Sequence, residues 1–413
     1  MQNTMIYKVI LTVTVAALVL LLIGCSSSGC PTATPGTTGT ASGTSSGKVI
    51  PNLCPAPANG TYSALLYSLH ASGTALIGTG QDNSGSLVSL NSFTSPMFPT
   101  SKPQAMAIVN KNFLYIPMGN TTIQAFRIDR STGALSTIAG SPYIVPTTSG
   151  KATSAVADPQ GHFLFVGSDN TGEVWGYELD SESGVLTLIA GSPFSVQFTF
   201  SRASSLTVDA SGRFLYVGQG DPSLGVMAFS IDQVNGVLGQ LAGAPFHLGV
   251  ARLHADPAAE FLAGTAQIEN QSDAAAPETR IYRFAIESNG VPTAVAGSPF
   301  QTTFAPHDFI TLPNGKFIFT FGTNPSTHQQ GAIEGFQVNT QTGALAMMAG
   351  SPFTGLPTVY TCQLDQRGTH AFCMDELPGT RFSVLSIDSA TAAMTHTGTD
   401  LIVNNTFPFA VTE

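Results

Sequence analysis

The sequence predicts an all-β chain built from repeated four-stranded antiparallel sheets, and three observations carry that expectation. The first is composition: only 10% of the 413 residues are charged, while Gly (42) and Pro (26) are plentiful. Val, Thr, Phe and Gly dominate over the long helix formers, which suits many short strands joined by tight turns. The second is a recurring phrase. It reads Gly140-Ser141-Pro142-Tyr143, Gly191-Ser192-Pro193-Phe194, Gly243-Ala244-Pro245-Phe246, Gly297-Ser298-Pro299-Phe300 and Gly350-Ser351-Pro352-Phe353, at spacings of 51, 52, 54 and 53 residues. Ser95-Pro96-Met97-Phe98 is a degraded upstream copy. The third is that one order of segments holds between the copies.

An apolar first strand opens each unit, as in Ser154-Ala155-Val156-Ala157 or Ser205-Leu206-Thr207-Val208. A turn follows: Asp158-Pro159-Gln160-Gly161, Asp209-Ala210-Ser211-Gly212 or Leu312-Pro313-Asn314-Gly315. Here Asp bonds its own backbone and Gly takes the left-handed position, so Asp158, Asp209, Asp180 and Asp232 read as turn formers rather than catalytic groups. The second strand is Phe163-Leu164-Phe165-Val166 or Phe214-Leu215-Tyr216-Val217, and the third alternates, as in Val174-Trp175-Gly176-Tyr177-Glu178-Leu179. A turn with Asp and a late Gly, such as Asp180 to Gly184, leads to a short fourth strand and the Gly-Ser-Pro phrase.

A four-stranded sheet cannot cover both of its faces alone. Radial stacking of such sheets solves this, which is the β-propeller. First strands fall near Leu65, Ala105, Ser154, Ser205, Arg252, Asp308 and Thr361, giving seven blades. Phe407 to Thr412 has no second strand after it and is expected to close the ring on the first blade; eight blades is the alternative count.

The N-terminus carries an address. Lys8 precedes an apolar run from Val9 to Ile23, shorter than the ~20 residues a membrane-spanning helix needs. It reads as the hydrophobic region of a signal peptide. Leu22-Ile23-Gly24-Cys25 resembles the lipobox of bacterial lipoproteins. That resemblance implies cleavage before Cys25, acylation of Cys25, and anchoring in the bilayer of the cell envelope; Ser26 after the Cys points to the outer membrane. The expected organisation is a signal peptide over 1–24, the lipidated Cys and a flexible Ser/Thr/Gly/Pro tether over 25–58, and the propeller over 59–413. With Cys25 lipidated, four of the five cysteines remain. Cys362 and Cys373 flank the turn at Asp365-Gln366-Arg367-Gly368 and are either a disulfide or two buried thiols; Cys30 and Cys54 are a second candidate pair.

The hairpin Asp-Pro-x-Gly-x-Phe-Leu-Tyr-Val, the segment Phe-x-Ile-Asp-x-x-Thr-Gly-x-Leu and the phrase Gly-Ser-Pro-Phe together resemble the lactonase-type seven-bladed propellers. That family contains the propeller form of 6-phosphogluconolactonase and the muconate cycloisomerases. The resemblance covers nearly all of 60–413, through turn and core residues that speak for the fold more than for the activity. It implies a His and an Arg at the starts of inner strands, and a Glu reached across the channel.

Candidate site residues follow from the inner strands, whose starts point at the central channel. They are His307, Arg202 and Arg252 as catalytic candidates, with His254, Asp308 and Lys151 as ligand-binding candidates. Pro306-His307 resembles the family's phrase, but residue 306 is Pro where Arg is expected, Arg202 leads into Ala203-Ser204, and Thr320-Phe321-Gly322 holds no Glu. Long segments at Gly264 to Arg280, Gly322 to Gly331 and Asp375 to Arg381 gather on one face, which is the expected binding face for a protein, carbohydrate or small molecule. A net charge of −10 without Lys/Arg blocks speaks against nucleic acid. No metal-ligand spacing and no phosphate loop appears, so no cofactor is expected, and the chain reads as a monomer. The expected function is a membrane-tethered binding or interaction module, with a lactone hydrolase or cycloisomerase as the alternative.

Overall fold

In the computed structural model the described residues are 62–412, apart from 71–74, 83–84, 95–104, 148–149, 197–204, 259, 267–277, 328–331, 358, 375–380 and 403–404. They form seven antiparallel sheets of the expected four-stranded kind, with no helix. The segments expected as signal peptide and tether, with Cys25, Cys30 and Cys54, lie outside the described residues.

Blades 2 to 7 each run inner to outer in chain order. Their inner strands are Ala107–Val109, Lys151–Ala157, Ser205–Val208, Arg252–Ala255, Ala305–Thr311 and Thr361–Leu364. Blade 1 is composite. Its order is Asn405–Thr412, Ala64–His70, Ala75–Gln81, Leu87–Thr94, so the chain's last strand is the innermost. The expected closing strand is therefore present, paired Leu65↔Thr412 and Leu66↔Val411. One detail is corrected: the strand at Leu65 is the second of its blade, because the C-terminal strand takes the inner place.

Packing gives the same count. Seven apolar clusters occur among the described residues, and each joins two neighbouring blades. Ala64 and Leu66 of blade 1 pack with Phe372 and Val384 of blade 7, which shuts the ring at seven. Trp175 is fully buried between blades 2 and 3. Large residues on second strands sit opposite small ones on third strands: Tyr115↔Ala125, Phe165↔Gly176, Tyr216↔Ala228, Phe319↔Gly335. Three of the tyrosines also reach the next blade, donating to a turn carbonyl: Tyr67 to Gly133 (2.9 Å), Tyr115 to Gly184 (2.6 Å) and Tyr216 to Gly290 (2.7 Å).

The recurring Gly-Ser-Pro-aromatic phrase interrupts the outermost strand instead of ending it. Leu135–Thr137 pairs with one end of Thr122–Ile128, and Tyr143–Ile144 with the other. Between them the Ser141 hydroxyl accepts the Ala125 N–H at 2.9 Å, replacing a carbonyl lost from the ladder. Ser192, Ser298 and Ser351 do the same for Gly176, Arg283 and Gly335 at 3.0, 2.9 and 3.0 Å. Such a break also blunts an edge that would otherwise template aggregation.

Candidate functional site

Inner strands have no fifth strand to pair with on the channel side, so their polar groups look to neighbouring blades. Ser205 Oγ accepts the Leu253 N–H at 3.1 Å, and Thr207 Oγ1 accepts that of Ala255 at 2.8 Å. Gln363 Nε2 donates to the Phe409 carbonyl at 3.1 Å, tying blade 7 to the closing strand. The same habit assembles a charged cluster in blades 5 to 7.

Asp308 is its centre. Oδ1 accepts the Phe309 N–H at 2.9 Å, and the Thr361 hydroxyl of blade 7 donates to Oδ2. Arg252 Nη1 and His254 Nε2, both from blade 5, lie 3.8 and 3.9 Å from Oδ1. The His254 ring meets Phe309 edge-on at 4.9 Å, which fixes its plane. Side-chain exposure grades from 12% at Asp308 through 27% at Arg252 to 53% at His254, so the imidazole is the member most open to the channel. The surrounding protein, which disfavours charge, pushes the His254 pKa below its usual 6.5; the Asp308 carboxylate opposes this and Arg252 adds to it. The shift favours the neutral imidazole.

His254, Asp308 and Thr361 line a cavity of about 350 Å³, walled also by Phe309, Ile310 and Gln363 and running along the inner strands toward Pro257, Thr311 and Leu364. That direction is toward the short turns between first and second strands. Residues 267–277, 328–331 and 375–380, in the long segments expected to form the binding face, lie outside the described residues.

The sequence-derived candidates divide accordingly. Arg252, His254 and Asp308 come together. His307 is the extra residue of a bulge between Pro306 and Asp308, and its buried ring stacks on Tyr360 at 4.4 Å, so it packs against a neighbouring aromatic beside the cluster. Lys151 is exposed on blade 3, in register with Asp169. Arg202 lies outside the described residues. The Glu implied by resemblance has a counterpart of another kind. Glu334, buried at the start of a third strand, accepts the Thr303 and Phe304 N–H groups at 2.8 and 3.1 Å and clamps the loop that feeds the Asp308 strand. Thr361 and Gln363 are missed by sequence reasoning. The signal was there: Arg252, Asp308 and Thr361 mark the inner strands of three consecutive blades.

Cys362 and Cys373 form a disulfide, directly opposite in register with Cα atoms 4.0 Å apart. It locks the strand that carries Thr361 to its neighbour, immediately behind the cavity. No group of three or more His, Cys, Asp or Glu side chains poised for a metal occurs among the described residues.

Residues 107–251 match the family model described as lactonase, 7-bladed beta-propeller. Among solved structures the fold is similar to a candidate 6-phosphogluconolactonase from Bacteroides uniformis, at 15% identity and TM-score 0.67, covering 85% of this chain and 99% of that one. A candidate 6-phosphogluconolactonase from Bacteroides fragilis aligns at 13% identity and TM-score 0.62, over 86% and 98%. The periplasmic gluconolactonase PpgL of Pseudomonas aeruginosa aligns at 15% identity and TM-score 0.60, over 85% and 98%. At such identities the likeness speaks for the fold. No curated protein matches the sequence.

Proposed function

We propose that this lactonase-like propeller opens a small lactone in its channel, and that it does so in the bacterial envelope, held to the membrane through Cys25. The observation that carries the reading is the meeting of His254 and Asp308 at the wall of a cavity of about 350 Å³, with Arg252 drawn to Asp308 from beside it. Hydrolysis of a lactone needs a base for water and a positive group for the developing oxyanion. With Nε2 turned to Asp308, His254 has Nδ1 left to take the proton from water as its oxygen attacks the carbonyl. Arg252, beside the cavity and drawn to Asp308, supplies positive charge that favours the developing negative charge on the carbonyl oxygen. Asp308 holds the imidazole and favours its protonated form. The ring C–O bond then breaks, the proton passes to the departing oxygen, and the product is a hydroxy acid.

A phosphorylated substrate calls for several clustered cations. Arg252 is the only Arg or Lys among the described residues of this cluster, which favours an uncharged or singly charged lactone. The test is turnover of a panel of γ- and δ-lactones by the purified protein beside its His254→Ala and His307→Ala variants. Turnover lost in His254→Ala and retained in His307→Ala supports the reading; no turnover above His254→Ala sinks it.

A second reading is binding without turnover. The separations of 3.8 and 3.9 Å exceed hydrogen-bond length, which suits a site that tightens around a ligand but does not require chemistry. Ligand-induced protection of the channel without product would favour it. The address is tested separately, by palmitate labelling of the wild type against Cys25→Ser.

A further inference from the structure

A second cavity, of about 670 Å³, lies at the short-turn end of blades 1 to 3, with Gln366 of blade 7 at its edge, and shares none of the residues that line the first. Its origin is legible in turn length. In blades 3 to 7 five residues separate the inner from the second strand: 158–162, 209–213, 256–260, 312–316 and 365–369. Blade 2 has three, 110–112. Blade 1 has no such turn, because its inner strand is the C-terminal Asn405–Thr412 and its second is Ala64–His70. Among the described residues the rim of turns is therefore short at one blade and missing at the next, and the cavity lies beside them.

The short turn is unusual in a second way. Asn110 and Lys111 both take left-handed backbone, φ 50° and 61°, and the Asn112 N–H closes the turn on the Val109 carbonyl at 3.1 Å. Asn suits the first of these positions; the second belongs to Gly in most turns of this kind. A lysine held there, half-buried at the cavity wall, sits in a conformation that glycine adopts without penalty. Strain at a ligand-sized cavity is a pointer to function.

The lining is balanced in charge, with one cation, Lys111, and one anion, Asp158. Both Asp158 oxygens already accept backbone N–H groups, from Phe163 at 2.6 Å and Gln160 at 3.2 Å, so its carboxylate is fixed in place. The Asn110 amide bridges to the Gly161 carbonyl at 3.3 Å, and Gln366 adds a further amide from blade 7. Ile108 and Val411 contribute an apolar strip. Such a set offers donors and acceptors without net charge, beside an apolar wall. That is the chemistry of a sugar ring, with hydroxyls around its edge and C–H groups on its face.

We propose that this gap is a saccharide-binding site, distinct from the Arg252–His254–Asp308 cluster, taking a neutral mono- or disaccharide. It is tested by titration calorimetry of the full-length chain in detergent micelles, with glucose, maltose, cellobiose and, as the charged comparison, gluconate. At least one neutral sugar is expected to bind more tightly than gluconate. Replacing residues 110–112 with the five-residue turn of blade 3 fills the gap, and is expected to weaken that sugar at least ten-fold while leaving any lactone turnover intact. Lys111→Gly is expected to weaken it several-fold and at the same time raise the melting temperature. If the turn graft does not melt cooperatively, Lys111→Gly decides. The proposal is overturned if no neutral sugar binds, or if the sugar binds the variants as it binds the wild type. Calorimetry without lactone keeps this result separate from the fate of the hydrolase reading.

Discussion

Arg283 Nη2 lies 2.7 Å from Asp256 Oδ2, with both side chains buried, at the junction of blades 5 and 6. The pair exists because one blade reverses a packing rule. In blades 1, 2, 3, 4 and 6 a large second-strand residue faces a small third-strand one; in blade 5 the register is Ala263↔Arg283. The guanidinium fills the space a tyrosine takes in blades 1, 2 and 4, and its Nε approaches the Gly343 carbonyl at 3.4 Å, the counterpart of the carbonyls those tyrosines bond. It also lies 5.2 Å over the Phe261 ring.

Removing one partner of a buried pair leaves the other charge uncompensated. Asp256→Ala is expected to lower stability by about 3–5 kcal/mol in denaturant titration. The double change Ala263→Tyr with Arg283→Ala rebuilds the pattern of blade 2, where Tyr115 faces Ala125. It is expected to recover the packing part of what Arg283→Ala loses, while the uncompensated Asp256 carboxylate keeps the rest lost. Equal instability in the single and double variants would show that the swap is not a packing exchange.

The serine of the recurring phrase has a measurable worth. Ser192→Ala removes the acceptor for the Gly176 N–H and is expected to cost roughly 1 kcal/mol. Ala244 stands at that place in blade 4, so loss at one blade is tolerated by the ring.

Lactone turnover is expected to be limited on the acid side by His254, with the inflection in kcat/KM below 6.5 because its pKa is lowered. Asp308 acts in the opposite sense, raising it, so Asp308→Asn is expected to move the inflection lower still while reducing the rate. The same shift has a stability consequence. The folded state resists protonating His254, so its contribution is present above pH 6.5 and is lost as pH falls below it.

Reduction of the Cys362–Cys373 disulfide, or the double change to Ala, is expected to cost about 2–3 kcal/mol for a loop of this size. Because Thr361 holds Asp308 from the adjacent position, turnover is expected to fall in parallel. Unchanged turnover in a reduced but folded protein would separate the disulfide from the site.

Blade number, strand order and turn chemistry were legible in the sequence because each is local. A phrase recurring every 51 to 54 residues counts blades, alternation marks strands, and Asp and Gly mark turns through their own backbone preferences. The closing strand was legible too, as a first strand with nothing after it. The tertiary structure alone decided which polar residues meet. His307 and Asp308 are neighbours in sequence, yet a bulge turns one to Tyr360 and the other to Arg252, His254 and Thr361. Those partners come from strands about 50 residues away on either side, brought together by blade stacking, which no local pattern encodes. The second cavity lies between these cases. The missing two residues in the turn of blade 2 can be counted in the sequence, but that their absence opens a space depends on the C-terminal strand occupying the neighbouring blade.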